Sequence, residues 1–154
     1  MLSKKCKYAI HSLVHIAKNP NEKHLIKDIS EICHIPKKFL EAILLDLKRA
    51  GILSSKSGKG GGYMLRLPPA QVNLAQVIRL FDGAIAALPC ASLNYYEPCD
   101  ECEDEETCSV RFSFIQVRNA SVEMLKNETL ETLLRTENKL LGNKKKKIIK
   151  ANSK

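Results

Sequence analysis

The chain predicts a mainly α-helical fold with one small β-hairpin, and three observations carry that reading. Apolar residues recur at helical spacing over most of the 154 residues. A glycine-rich segment, Ser57-Gly58-Lys59-Gly60-Gly61-Gly62, separates two short runs suited to strands. Residues 109–126 give a long helix with more apolar surface than so small a domain buries alone.

Residues 4–18 read as a helix that is apolar nearly all round, with Ala9, Leu13, Ile16 and Ala17 in register. Such a helix must lie between other elements. His11, Ser12 and His15 form its one polar stripe, and the two histidines are read as half-exposed surface rather than a metal pair. Asn19-Pro20-Asn21 is a turn. Residues 25–32 read as a short helix and Cys33-His34-Ile35 as a break. Residues 36–51 read as a second helix, with Phe39-Leu40, Ile43-Leu44 and Leu47 at i, i+4, i+8 and Gly51 at its stop. Two helices joined by a tight turn, the second opening with Lys37 and Lys38, are the pattern of a helix-turn-helix.

Residues 52–56 and 63–67 read as strands around the glycine turn. A glycine-rich hairpin straight after a candidate recognition helix is a wing, able to press into a minor groove or along phosphates. A nucleotide phosphate loop is excluded, because Lys59 is followed by Gly60 and then a strand instead of Ser/Thr and a helix. Asn73 caps a helix over 74–81. The 109–126 helix presents Val110, Phe114, Val117, Ser121 and Met124 as one stripe, a candidate dimer interface. Thr129 caps a last short helix over 130–134.

Charge is uneven. Residues 1–66 hold thirteen Lys/Arg against five Asp/Glu, a net of +8, which suits a polyanion partner. Segment 97–106 holds seven acids and no base, and 142–154 holds six lysines and no acid. That tail is expected to be disordered. No stretch has the length of a signal peptide or membrane span, so the expected location is cytoplasmic.

Four of the six cysteines, Cys90, Cys99, Cys102 and Cys108, fall within nineteen residues at spacing C-x8-C-x2-C-x5-C. In a reducing compartment so many thiols in one loop point to a soft metal centre, either an iron–sulfur cluster (2Fe-2S or 4Fe-4S) or zinc. A metal-free thiol switch is the third reading. The acids around the loop are expected to raise the thiol pKa values. Cys6 and Cys33 read as buried apolar residues. No nucleophile–base pair or paired carboxylates in an apolar setting argue for an enzyme. A small iron–sulfur electron carrier would explain the cysteines but has no use for a winged helix.

Tyr8-Ala9-Ile10, Phe39-Leu40-Glu41, Leu47-Lys48-Arg49-Ala50-Gly51, the segment from Ser57 to Tyr63, and Thr129-Leu130-Glu131-Thr132-Leu133 form a pattern covering about 2–135. In these residues the sequence resembles the Rrf2 family of winged-helix transcriptional regulators. The resemblance implies a homodimeric regulator, in many members carrying an iron–sulfur cluster held by loop cysteines before the long helix. The chain departs from the family pattern in four places. Ser57 and Lys59 stand where many members have Arg and Pro, so Lys56 or Lys59 replaces the minor-groove arginine. Cys6 replaces a glycine, Arg111 stands where some members have a His ligand, and Cys99 is an added fourth cysteine.

The sequence therefore predicts a winged helix-turn-helix DNA-binding domain (1–82), a cysteine-rich metal-binding loop (83–108), a dimerisation helix with a short terminal helix (109–136) and a lysine-rich tail (137–154). The expected partners are double-stranded DNA with a near-palindromic operator and a second copy of the chain, with no membrane and no small-molecule substrate. The expected DNA-contacting residues are Lys4, Lys27, Lys37, Lys38, Phe39, Glu41, Lys48, Lys56, Ser57, Lys59, Gly60, Gly61, Gly62 and Tyr63. The expected output is transcriptional regulation, chiefly repression, tuned by redox, nitric oxide or iron–sulfur status.

Overall fold

Helix α1 (Lys4–Ala17) runs through the middle of the fold, with Ala9, Leu13, Ile16 and Ala17 buried. It packs against four other helices and the hairpin, as its all-round apolar surface requires. The computed structural model describes residues 2–56, 58 and 61–151, with side chains to Lys144. Ser12 is fully buried rather than on a polar edge, because its hydroxyl donates to the Tyr8 carbonyl at 2.8 Å.

Helices α2 (Ile26–Cys33) and α3 (Lys37–Arg49) form the helix-turn-helix. The turn is made by His34, in the left-handed region at φ 53°, and by Ile35, buried at 2% exposure. The amide of Ile35 donates to the Ser30 carbonyl at 3.0 Å. Leu40, Ile43, Leu44 and Leu47 of α3 fill the core, which is aliphatic throughout.

Strands β1 (Leu53–Lys56) and β2 (Gly62–Leu65) pair antiparallel, Leu53 opposite Leu65 and Lys56 opposite Gly62. His24 adds a bridge on the far side of β2, exchanging main-chain bonds with Tyr63 at 2.8 and 2.9 Å. This close approach needs Gly62, where a Cβ would stand 2.9 Å from the His24 carbonyl oxygen. Helix α4 (Leu74–Asp82) opens with the expected Asn73 cap, completed by Gln76 as a capping box.

Helix α5 (Ser109–Asn127) lies on α4 and on the short 3-10 turn Pro89–Ala91. Helix α6 (Leu130–Ala151) corrects the sequence expectation twice. It does not stop at 134, and 137–151 is helical rather than a disordered tail. Leu130, Leu133 and Leu134 anchor its first turns to the core. Leucine and lysine then propagate the helix at little cost, and no proline interrupts it. Thr129 caps α6 as expected, accepting from the Thr132 amide at 3.2 Å.

Candidate nucleic-acid interface and cysteine site

The recognition helix and the wing face each other across a groove of about 420 Å³. Lys27 of α2, Lys37 and Glu41 of α3, Lys56 of β1, and Gly61, Gly62 and Tyr63 all line it. Lys4, Lys38, Phe39 and Lys48 are exposed outside that lining, Phe39 at 61%. Lys37 and Lys38 stand in the first turn of α3, where the free amides of a helix N-terminus add to the positive field. Ser57, Lys59 and Gly60 lie outside the described residues. Gly61 is needed for a different reason than left-handed backbone. A Cβ there would meet the Lys56 carbonyl oxygen at 2.3 Å, so close approach excludes any larger residue.

The four loop cysteines line one cavity of about 190 Å³, with Leu88, Glu101, Val110 and Arg111 completing its wall. Cys90 is buried on the 3-10 turn, while Cys99, Cys102 and Cys108 are half-buried. Cys108 is the N-cap of α5, its sulfur accepting from the Arg111 amide at 3.4 Å. That bond, followed by a second from Cys102, holds the Cys108 thiol below the usual thiol range. Its partner Cys102 is pushed up, first by the same bond to Cys108. The acids are not the leading cause of either shift, contrary to the sequence expectation. Asp104 is instead bonded to the Glu106 amide and the Thr107 hydroxyl, and Glu105 to Tyr96 and Arg111.

Two arginines of α5 fix the start of the loop. Arg111 Nε donates to the Cys90 carbonyl at 3.1 Å, and Arg118 donates to the next carbonyl, that of Ala91. Neither stands out in the sequence as an anchor. Among the described residues no three His, Cys, Asp or Glu side chains are gathered as for a single metal ion. The donor set nonetheless fits a cluster in kind: four soft thiols on one cavity, one of them at a helix N-terminus.

Cys6 is fully buried, and burial, followed by the nearby charge of Asp82, pushes its thiol up to about 11. Cys33 is half-buried and also raised by burial. Cys6 matches its reading as a buried residue, whereas Cys33 is only partly covered, packed against the edge of the core. Along α5, Val110, Val117 and Met124 are 56%, 55% and 71% exposed, whereas Phe114 and Ser121 are half-buried.

A family model described as Rrf2, iron-dependent transcriptional regulator, matches residues 2–136. The chain belongs to the Rrf2 family. An rrf2-like HTH-type regulator from Rhodobacter capsulatus is 38% identical over 142 residues, spanning 90% of this chain and 95% of the relative. CymR of Bacillus subtilis is 29% identical over 133 residues, 86% of this chain and 88% of CymR. The solved structure of B. subtilis CymR, titled the global cysteine regulator, superposes at TM-score 0.73 and 28% identity, covering 88% of this chain and 97% of that one. T. potens IscR shares the fold at TM-score 0.69 and 20% identity, covering 89% and 88%. This Rrf2 member is thus a DNA-binding transcriptional regulator and not an enzyme, and its mostly helical architecture with a two-stranded wing is that of the family. Among its described residues no helix is long and apolar enough to cross a membrane.

Proposed function

We propose that the chain is a homodimeric, cytoplasmic repressor that reads a near-palindromic operator and senses redox, nitric oxide or iron–sulfur supply. In this reading Cys90, Cys99, Cys102 and Cys108 hold an iron–sulfur cluster. The observation that carries it is the convergence of these four cysteines, separated by up to eighteen positions, on one cavity against the first turn of α5. A bound cluster supplies a centre whose charge and integrity change with oxidant or nitric oxide. The protein's part is to present four thiols and to lower the charging cost at Cys108. Cluster loss would free the loop, which lies between the wing domain and α5, and so alter how two heads are spaced.

DNA contact is assigned to Lys37, Glu41, Lys56 and Tyr63 along the groove, with Lys38 and Phe39 beside it. Lys4, Lys27, Lys48, Gly61 and Gly62, and Ser57, Lys59 and Gly60 of the wing tip, complete the assigned set. The dimer contact is assigned to Val110, Phe114, Val117, Ser121 and Met124. Their alternating steps of four and three give the repeat of a helix seam.

Anaerobic purification followed by iron, sulfide and zinc analysis tests the site. Iron and acid-labile sulfide with visible absorption support the cluster. A colourless protein with one zinc per chain replaces it with a structural site. A second reading, the metal-free thiol switch, is favoured by the placing of Cys102 and Cys108 on one cavity and by similarity, at 26% identity and TM-score 0.66, to a Staphylococcus aureus CymR solved in an oxidised form. A metal-free protein that still loses DNA on mild oxidation supports that reading instead.

A further inference from the structure

The second half of α6 lies beyond the family match, which ends at residue 136. The helix is tied down by Leu130, Leu133 and Leu134, and lastly by Glu137, which pairs with Lys18 at 2.9 Å. From Asn138 to Lys144 every residue is exposed or half-exposed, Leu140 at 64% and Leu141 at 50%. Residues 138–151 carry six lysines (Lys139, Lys144, Lys145, Lys146, Lys147, Lys150) and no acid. A solvated helix usually offsets such charge with acids one turn away, as Glu131 does for Arg135 in the first half of α6. Here the sequence sets like charges one turn apart, an arrangement that a polyanion relieves.

The place where α6 leaves the body selects the polyanion. Lys18 follows the last turn of α1, where the His15 ring meets that of His24 at 5.3 Å. His24 is main-chain bonded to Tyr63, and both Tyr63 and the neighbouring Leu25 line the groove of Lys37 and Glu41. The free half of α6 therefore springs from the wing end of the molecule. Its fourteen residues span about 21 Å at the helical rise, enough to pass beyond the groove.

We infer that the lysine-rich half of α6 is a second DNA-contacting surface, holding phosphates that flank the segment read by α3 and the wing. The inference rests on the assignment of α3 and the wing to DNA. It binds without sequence preference, because ammonium groups on flexible stems carry charge but no base-reading fork.

The test is the salt dependence of binding to a random-sequence duplex of about 40 base pairs, over roughly 50–200 mM salt. The full chain is compared with its Lys144→Gln/Lys145→Gln/Lys146→Gln/Lys147→Gln variant. Glutamine keeps the helix and removes the charge. The slope of log K should fall by about 0.9 for each phosphate that is no longer neutralised, about 2–4 in all, with affinity weakened roughly tenfold or more near 150 mM. At that salt the screening length is about 8 Å, so distant lysines contribute little. The melting curve should not move, since the last anchoring pair among the described residues is Lys18–Glu137. An unchanged slope overturns the inference. A Lys37→Ala/Lys38→Ala double variant in the same titration separates the two readings. If it alone loses affinity, the α6 surface falls and the head stands; if neither variant loses affinity, the assignment of the head falls as well. Loss of binding to phosphatidylserine-containing vesicles in the quadruple variant, with its DNA slope unchanged, assigns the helix to a membrane surface and also overturns the inference.

Discussion

Arg111 and Cys90 are joined by a hydrogen bond of 3.1 Å from the guanidinium Nε to the main-chain carbonyl, across 21 positions of sequence. The same guanidinium lies 3.4 Å from Glu105, and the Arg111 amide donates to Cys108. One residue therefore touches the first cysteine, the last cysteine and an acid between them. Arg111→Ala should release the loop while leaving the core intact. We expect iron per chain to fall well below that of the parent after anaerobic purification, with a stability loss of about 1–2 kcal/mol, the usual cost of a charge-assisted bond to backbone. Arg111→Lys should recover charge but not the fixed fork, and so only part of the loading. Full loading in Arg111→Ala would remove the residue from the site.

The cysteines themselves should not be equivalent. Cys90→Ala, Cys102→Ala and Cys108→Ala should each abolish the metal centre, and Cys99→Ala should leave a weaker one completed by another ligand. In the metal-free protein the thiols should also separate by pH. Cys108 sits below the usual range and Cys102 above it, while Cys6 is pushed up to about 11. As pH rises from neutral, iodoacetamide should label Cys108 first, then Cys102, and Cys6 last or only on unfolding, read by peptide mass. Cys6 labelled ahead of Cys108 would contradict the burial of α1.

How much of this is legible in the sequence depends on the range of the interaction. The aliphatic periodicity of Leu40, Ile43, Leu44 and Leu47 places the recognition helix within a residue or two of its ends, because the pattern is local. The Asn73 cap is legible for the same reason. Arg111 reads in the sequence only as a position lacking a His ligand. Spacing along the chain does not say which side chain reaches back 21 positions to a carbonyl. The acids of 97–106 suggest control of the thiols by charge, yet Asp104 and Glu105 are engaged by Thr107, Tyr96 and Arg111. The lysine-rich composition after residue 136 argues for disorder, whereas the propensity of leucine and lysine carries α6 through it.

The wing should fail for steric reasons at Gly61. Valine there would place its Cβ 2.3 Å from the Lys56 carbonyl oxygen and break the turn, at a cost of about 1–3 kcal/mol. Gly61 is buried, so the melting point should drop by several degrees, while the core helices stay folded and DNA affinity falls sharply. Gly62→Ala should act similarly by pushing the wing off His24. Wild-type affinity in Gly61→Val, by fluorescence anisotropy on genomic operator fragments, would show that the wing does not touch DNA.

On the recognition helix, Lys37→Ala and Lys38→Ala should each reduce the salt slope of log K by about one if both meet phosphates. Glu41 lines the same groove between Lys37 and the wing, and carries the opposite charge. It can accept from a cytosine amino group and repel other sequences. Glu41→Ala should therefore relax base preference more than it weakens binding, seen as a flatter profile in a randomised-operator selection. A variant with unchanged preference would leave Glu41 as a charge of no consequence.

The dimer seam is best tested at Met124, which is 71% exposed and so has little to lose within its own chain. Phe114 is half-buried against its own fold, so Phe114→Asp would mix folding with assembly. Met124→Asp puts a charge into an apolar seam twice over, once from each copy of a two-fold interface. We expect a folded monomer by sedimentation velocity, with an unchanged circular dichroism spectrum. It should bind a single half-site as before and lose the extra affinity of the full palindrome. A wild-type monomer that binds one half-site as tightly as two would overturn the dimer, and with it the idea that the cysteine loop acts by setting the distance between two heads.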